Sequence, residues 1–532
     1  MLLQGIALLF VPAPAWSVRG VAVVLVLALA YAARSIARNR RIARLGSRAP
    51  RFATRLPFGL DFIAQSLGRH RKCQSLMLWE AMLRITQNSR TVEVNVGGKD
   101  IIVTCDSQNI KAVLSTQFSS FGKGNKFRTD WREFLGSGIF NTDGEQWSTA
   151  RALIRDQFKR DRLSDIEIFE KHTSRLIPMF ILASGQSLDV RPLMFDYTLD
   201  IATDFLLGES KDCLGNPNND FARAFSFIQK FHTRLLRMGA ASGLMPRNEL
   251  RKNLRIFNDF IDPFVQKALQ FSQEELEGKP WTFLQAIAGQ TRDAKFLRDQ
   301  IVSVLLAGRD TTACTLTWVL YELAFAPHLV DALRKEIVRH VGLDGSPGFT
   351  ELKEMRLLQH TIDETLRIYP AVPLNVREAL EDTTLPRGGG LAGDEPVAIL
   401  KGTTIVYSTQ FMQLSDDIYP PPSEKSPDPA MFEPCRWETW RPRNHSYVPF
   451  HAGPRLCAGQ QFAITEIGYT LVKILQRFSR IEPRGDLVHC NPRELSPIGS
   501  TSLPVRVYEC RAAMKNEVVL QPAQPITLAF LP

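Results

Sequence analysis

The sequence predicts a mainly α protein: one large helical domain with a small β region, set behind a single N-terminal transmembrane helix. Three observations carry this expectation. Apolar residues recur with helical period over long stretches, above all 292–326, 357–369 and 460–478. Strict alternation is clear only around Gly97-Gly98, where Thr91 to Val96 and Asp100 to Thr104 read as a hairpin. Residues 1–33 hold one charge, Arg19, ahead of a cluster made of Arg34, Arg38, Arg40, Arg41 and Arg44.

The N-terminal stretch reads as an uncleaved anchor. The apolar run from Gly20 to Ala33 is short for an upright span, and Val11 to Val18 supplies the missing length. Ala30-Tyr31-Ala32 resembles a signal-peptidase site, but the basic cluster comes after the apolar run instead of preceding it. The same cluster keeps the remainder of the chain in the cytosol. The expected organisation is an anchor over 1–33, a basic, Pro-containing linker over 34–60, and a catalytic domain over 61–532.

An amphipathic helix is expected over 72–87, ahead of the hairpin. Gly122 to Gly138 reads as a glycine-punctuated loop containing Trp131 and Phe134. Asp143 opens a helix that carries Trp147 and Arg151 one turn apart on one face. Residues 160–290 are helical in period, with breaks at Gly185, Gly208–Pro217 and Gly239–Pro246, and no chemistry is legible in them. The run from 292 to 326 lacks proline and holds Ala307-Gly308-Arg309-Asp310-Thr311-Thr312 at its middle. A mid-helix glycine costs about 1 kcal/mol against alanine, so it asks for a reason, and room beside the helix is one. Glu364 and Arg367 share a face of the helix that Pro370 stops. Beyond it lie a strand region to Tyr407 with a turn at Gly388-Gly389-Gly390, and a proline-rich loop over 420–429.

The last motif is Phe450-His451-Ala452-Gly453-Pro454-Arg455-Leu456-Cys457-Ala458-Gly459, with a long helix after it. Glycine lets backbone approach a flat ligand, and a cysteine at a helix start meets unpaired N–H groups and the dipole. Together with the three upstream motifs, in the same order, it resembles the cytochrome P-450 superfamily over roughly residues 50–510. AGRDTT at 307–312, Asp382 to Gly390 and Gly459-Gln460-Gln461-Phe462-Ala463 are similar to the fungal membrane-bound alkane and fatty-acid hydroxylase branch.

That resemblance implies a haem-thiolate monooxygenase with haem b on Cys457, whose thiolate favours O–O cleavage. It implies a proton relay at Asp310 and Thr311. Haem contacts fall to Trp147, Arg151, Arg377, Phe450 and Arg455, with the arginines and Trp147 on the propionates. Glu364, Arg367 and Arg436 become a fold-locking triad. The substrate is a hydrophobic small molecule, fatty-acid-like or alkane-like, or a secondary-metabolite intermediate. Electrons come from NADPH through a separate flavoprotein reductase, and the endoplasmic reticulum membrane is the expected location. Departures are Cys435 where the family carries an acid, the proline-rich insertion, and Gln413-Leu414.

Composition excludes other classes. Nine of the ten net positive charges lie in residues 1–55, so the body carries only +1 and offers no nucleic-acid footprint. Eight scattered cysteines without a CxxC pair suggest neither a disulfide framework nor a zinc ribbon. Two competing readings remain from the sequence: a haem-thiolate isomerase or dehydratase needing no reductase, and a non-haem metal protein using His445, His451 and Cys457.

Overall fold

The computed structural model describes residues 18–84, 89–158, 166–277, 282–390, 392–423, 426–443, 445–490 and 503–532. Residues 1–17 of the expected anchor and the end of the expected 72–87 helix lie outside them. The first helix, α1 (Val18–Leu45), passes without a break through the anchor boundary drawn at residue 33. Among the described residues no single helix is long and apolar enough to cross a membrane. The expected linker lies along the sheet: Phe52 N–H donates to the Glu93 carbonyl and Glu93 N–H to that of Pro50, each at 2.8 Å. The helix Ser75–Arg84 lies where one was expected, and a helix at Leu60–Arg71, which was not expected, precedes it.

The hairpin is as expected. Strands β1 (Thr91–Val96) and β2 (Lys99–Thr104) pair antiparallel from Thr91↔Thr104 to Val96↔Lys99. Gly97 and Gly98 adopt φ of 62° and 80°, which side-chain-bearing residues disfavour. Residues 122–138 are not a loop: Gly124–Leu135 is helical and forms α2, with Trp131, Phe134 and Leu135 buried. The glycines misled because they stand at its ends. Gly124 has φ 76° and Gly136 φ 51°, so they start and stop the helix and do not interrupt it.

The helical body is built from α3 (Gly144–Gln157), α4 (Val190–Leu207), α5 (Asp220–Met238), α6 (Ala294–Ala324) and α7 (Arg356–Ile368). Asp293 caps α6 by accepting the Phe296 N–H at 3.1 Å, which explains why the helix begins there. Strands β3 (Leu374–Ala379) and β4 (Thr404–Ser408) complete a sheet of order β1-β2-β4-β3, closed by the two residues Phe121–Gly122. β2 and β4 run parallel and the other pairs antiparallel. α8 (Gln460–Arg477) comes directly after the cysteine motif.

Two apolar cores meet along α6. Leu297 to Leu306 pack with α2, α3 and α5, whereas Ala313 to Ala324 pack with α7, α8 and the sheet. The change of partner falls on residues 307–312. There Ala307, Gly308 and Thr311 are only half-buried, in a helix that is otherwise almost entirely covered. Gly308 presents its bare Cα to α4, where an added Cβ would stand 3.9 Å from Ala202 Cβ. That is an ordinary van der Waals distance, so the α4–α6 crossing does not by itself require glycine there.

Candidate active site

The cysteine loop is shaped by its glycines. Gly453 sits at φ 65°, and a Cβ there would lie 1.9 Å from the Leu114 carbonyl oxygen, so only glycine fits. Cys457 N–H donates to the Phe450 carbonyl at 2.9 Å, which closes the loop and fixes Phe450 as its other end. Ala463 N–H then donates to the Gly459 carbonyl and α8 begins. The Cys457 side chain keeps accessible surface although protein hems it in. Burial pushes its thiol up, against the Gly459 N–H and the Arg151 guanidinium, which pull it down. Helix-start donors alone do not ionise this sulfur. Coordination to a metal would, because a bound cation deprotonates a ligating thiol outright.

Cations gather beside the loop in excess of anions. Arg455 Nη2 donates to Asp143 Oδ1 at 2.7 Å and to the Thr142 carbonyl at 2.9 Å, while its buried Nε has no protein partner. Its guanidinium lies 4.6 Å above the Trp147 ring, and Phe118 packs on the same indole at 5.3 Å. Arg377 is 2 % exposed yet touches only neutral groups: Asn375 Oδ1 at 3.1 Å, the Val376 carbonyl at 2.8 Å and His451 Nε2 at 3.0 Å. Burial, Arg377 and Arg455 together push the Lys123 ammonium well below its ordinary range, with Asp143 pulling the other way. Arg455 falls to about 10, from burial first and Arg377 second. Asp143 also takes Arg128, at 3.0 Å. A buried group of cations sharing one carboxylate fits a ligand that brings negative charge, and haem brings two propionates. The residues fit the group.

His451 belongs to this cluster and not to a metal site. Its Nδ1–H donates to the Ala452 carbonyl at 3.0 Å, so Nε2 is a lone pair that accepts from Arg377 and from Tyr407 Oη at 2.9 Å. Burial, then Arg377, hold its pKa well below the usual value, so the ring is neutral. Among the described residues no group of three or more His, Cys, Asp or Glu could hold a metal ion. The His445, His451 and Cys457 alternative therefore fails. Lys123, Asp143 and His451 are residues beside the loop to which sequence reasoning gave no such role; Asp143 and His451 lay inside quoted motifs and Lys123 did not.

The structure separates residues that the sequence had grouped. Trp147 stands against Arg455, whereas Arg151, one turn on, acts electrostatically on Cys457. Asp310 is buried, 3.1 Å from Arg309 Nη1, and faces Gln229 of α5. Burial raises its carboxyl against the pull of Arg309 and Gln229. Thr311 keeps accessible surface and donates its hydroxyl to the Ala307 carbonyl at 2.6 Å.

A cysteine loop has a surplus of buried cations beside it, α6 has a half-covered turn at 307–312, and comparison with known proteins decides the family. The family model for cytochrome P-450 matches residues 66–505. Cytochrome P-450 monooxygenase pvhE of Talaromyces variabilis is 46 % identical over 464 residues, covering 84 % of this chain and 86 % of that protein. Cytochrome P-450 52A1 of Candida tropicalis is 38 % identical over 428 residues, covering 76 % and 77 %. Cytochrome P-450 52A13 of Debaryomyces hansenii is 38 % identical over 416 residues, covering 74 % and 79 %.

The chain belongs to the cytochrome P-450 family.

As a P-450 it is a haem-thiolate monooxygenase, an oxidoreductase. Its triad is assembled around Glu364, which is fully buried. Arg367 grips the carboxylate with Nε at 2.8 Å and Nη2 at 2.9 Å. Arg436 Nε adds a bond at 3.3 Å, Trp437 Nε1 one at 3.0 Å and the Glu433 N–H one at 2.9 Å. Burial alone would raise the Glu364 carboxyl, but Arg367 and Arg436 hold it below its usual range. Cys435, the departure from the family pattern, is exposed and takes no part in these bonds. The proline-rich segment contributes carbonyls instead: Pro427 and Asp428 accept from Arg436 at 2.7 and 2.9 Å.

Proposed function

We propose that this P-450 is membrane-anchored and hydroxylates, or further oxidises, a hydrophobic substrate that is fatty-acid-like or alkane-like, or a secondary-metabolite intermediate. The observation that carries the site assignment is the buried cationic group facing the Cys457 loop with one shared carboxylate. Haem, when bound through Cys457, supplies the oxygen activation. Arg377, Arg455 and Lys123 neutralise its propionates, and the Trp147 face keeps Arg455 aimed. Arg151 lends positive charge to the sulfur and supports its ionised form. Phe450 closes the loop at the backbone. Asp310 and Thr311 relay protons along the half-covered turn of α6, where the Ala307 carbonyl holds the Thr311 hydroxyl. Glu364, Arg367 and Arg436 hold the segment that precedes the cysteine loop.

Electrons come from NADPH through a separate flavoprotein reductase, and the natural setting is the endoplasmic reticulum with residues 61–532 in the cytosol. The apolar first half of α1, with its arginines after it, supports that orientation. The sequence likeness to the fungal hydroxylase branch supports the substrate class. The test is product analysis. Full-length protein reconstituted with reductase and NADPH, given a panel of alkanes, fatty acids and host extracts under labelled O2, incorporates one labelled oxygen at the first hydroxylation. Turnover that persists without reductase and NADPH contradicts the reading.

A further inference from the structure

A second buried ion network stands apart from the haem site. Glu322, in the last turn of α6, is 1 % exposed. Its Oε1 accepts from Arg511 Nε at 2.7 Å and from Tyr369 Oη at 2.5 Å, and its Oε2 lies 3.0 Å from His489 Nε2. Beside it, Tyr321 Oη accepts the Ala512 N–H at 3.0 Å and donates to the Val488 carbonyl. Residues 488–490 and 510–512 are thus two arms that close on the end of α6. His489 further lies flat against Phe325, with ring centroids 4.2 Å apart.

Each arm carries a cysteine next to its anchoring residue. Cys490 comes after His489, and Cys510 precedes Arg511. The Cys490 N–H donates to the Cys510 carbonyl at 3.1 Å, and Cys490 Sγ stands 4.0 Å from the Glu509 carbonyl. A backbone bond of that kind sets two Cα atoms about 5–6 Å apart, the separation a disulfide spans. Cys490 is half-buried and Cys510 buried.

We propose that Cys490 and Cys510 form a redox-convertible pair that closes to a disulfide on meeting hydrogen peroxide and reopens under a thiol reductant. In the first step the Cys490 sulfur attacks peroxide; an S–O bond forms, the O–O bond breaks, and one water leaves, giving a sulfenic acid. The Cys510 sulfur then displaces that oxygen, the S–S bond forms, and a second water leaves. Two thiols lose two electrons and two protons, and peroxide takes up both. Exposure sets the order, since Cys490 is the accessible sulfur, whereas burial and the neighbouring thiol push Cys510 up to about 12. Peroxide is the product an oxygen-activating enzyme releases when electrons miss the substrate, so the pair is placed to register it. The bond clamps both arms on Glu322, about three helical turns from Thr311. Reversibility suits a reducing compartment, where a permanent structural disulfide would not persist.

The test uses the full-length, haem-loaded protein, with diamide as a two-electron oxidant that spares haem and peroxide as the second arm. The expected result is the loss of two of the seven thiols left once Cys457, of the eight cysteines, is engaged by haem. A single cross-linked peptide joins residues 490 and 510, and dithiothreitol restores the thiols. With Cys510→Ser, peroxide leaves Cys490 as a sulfenic acid that dimedone captures. The oxidised protein melts roughly 3 °C higher than the reduced one. Oxidation that maps to Cys73 or Cys435 while 490 and 510 stay free overturns the proposal. None of these readouts needs substrate turnover, so they stand or fall apart from the oxygenase reading.

Discussion

Glu364 shows how much one residue carries. Five donors converge on a carboxylate with no exposed surface, so removing its charge leaves two guanidinium groups buried without their shared anion. Glu364→Gln is expected to lower unfolding free energy by about 3–5 kcal/mol, read by denaturant titration. Glu322 makes a prediction in pH. Burial alone would raise its pKa, but Arg511, His489 and Tyr369 lower it from 4.5 to about 2. Its contribution is therefore complete above pH 4.5 and is lost as pH falls from 4.5 towards 2. The wild type should lose stability across that window more steeply than Glu322→Gln, measured by thermal melts at stepped pH. At the haem site, Lys123→Met removes a buried cation and should speed haem transfer to an apoprotein acceptor about tenfold. The Soret position should not change, since Lys123 lies outside the cysteine loop.

At the scale of elements, boundaries were legible where a cap or breaker marks them. Asp293 before α6 and Pro370 after α7 are local signals that act through backbone hydrogen bonds, and both helices lie within two residues of the expected limits. α2 was illegible because a glycine reads alike whether it interrupts a helix or bounds one. Only φ at Gly124 and Gly136 tells these apart. Motif residues were legible in kind but not in grouping. Helical spacing puts Trp147 and Arg151 on one face, yet tertiary neighbours send one to Arg455 and the other to Cys457. Lys123 carried no signal at all, since its environment is made by Arg377 and Arg455, more than 250 residues away in sequence. The loop ahead of α8 yields a sharp test. Gly453→Ala forces φ 65° on a residue with a Cβ and drives that atom into the Leu114 carbonyl. The strain is about 1–2 kcal/mol before the clash is counted. The variant should carry a much smaller thiolate-ligated fraction at unchanged expression, read as the ferrous–CO band per unit protein.

Across the whole molecule, Asp310 and Thr311 stand on the turn of α6 where its packing passes from one core to the other. Fold class was readable because helical period and one hairpin are properties of short stretches. The packing of α1's far end on the catalytic body was not. Arg41 Nε and Nη2 bond Asp382 at 3.1 and 2.7 Å, a contact that joins residues far apart in the chain. Exposed pairs of this sort are worth about 0–1 kcal/mol each, so they orient α1 more than they stabilise the fold. Removing residues 1–33 should accordingly move the protein from the membrane to the soluble fraction while the ferrous–CO band is kept. Tight membrane binding after the cut would locate the anchor elsewhere.

Every role proposed around the site depends on Cys457 as the ligand of the haem iron. The direct measurement is the ferrous–CO spectrum of Cys457→Ser beside the wild type, with haem content determined in both. Wild type should show the red-shifted Soret band of a thiolate-ligated haem, and the variant should lose it. An unchanged red-shifted band in haem-loaded Cys457→Ser would contradict thiolate ligation by this residue.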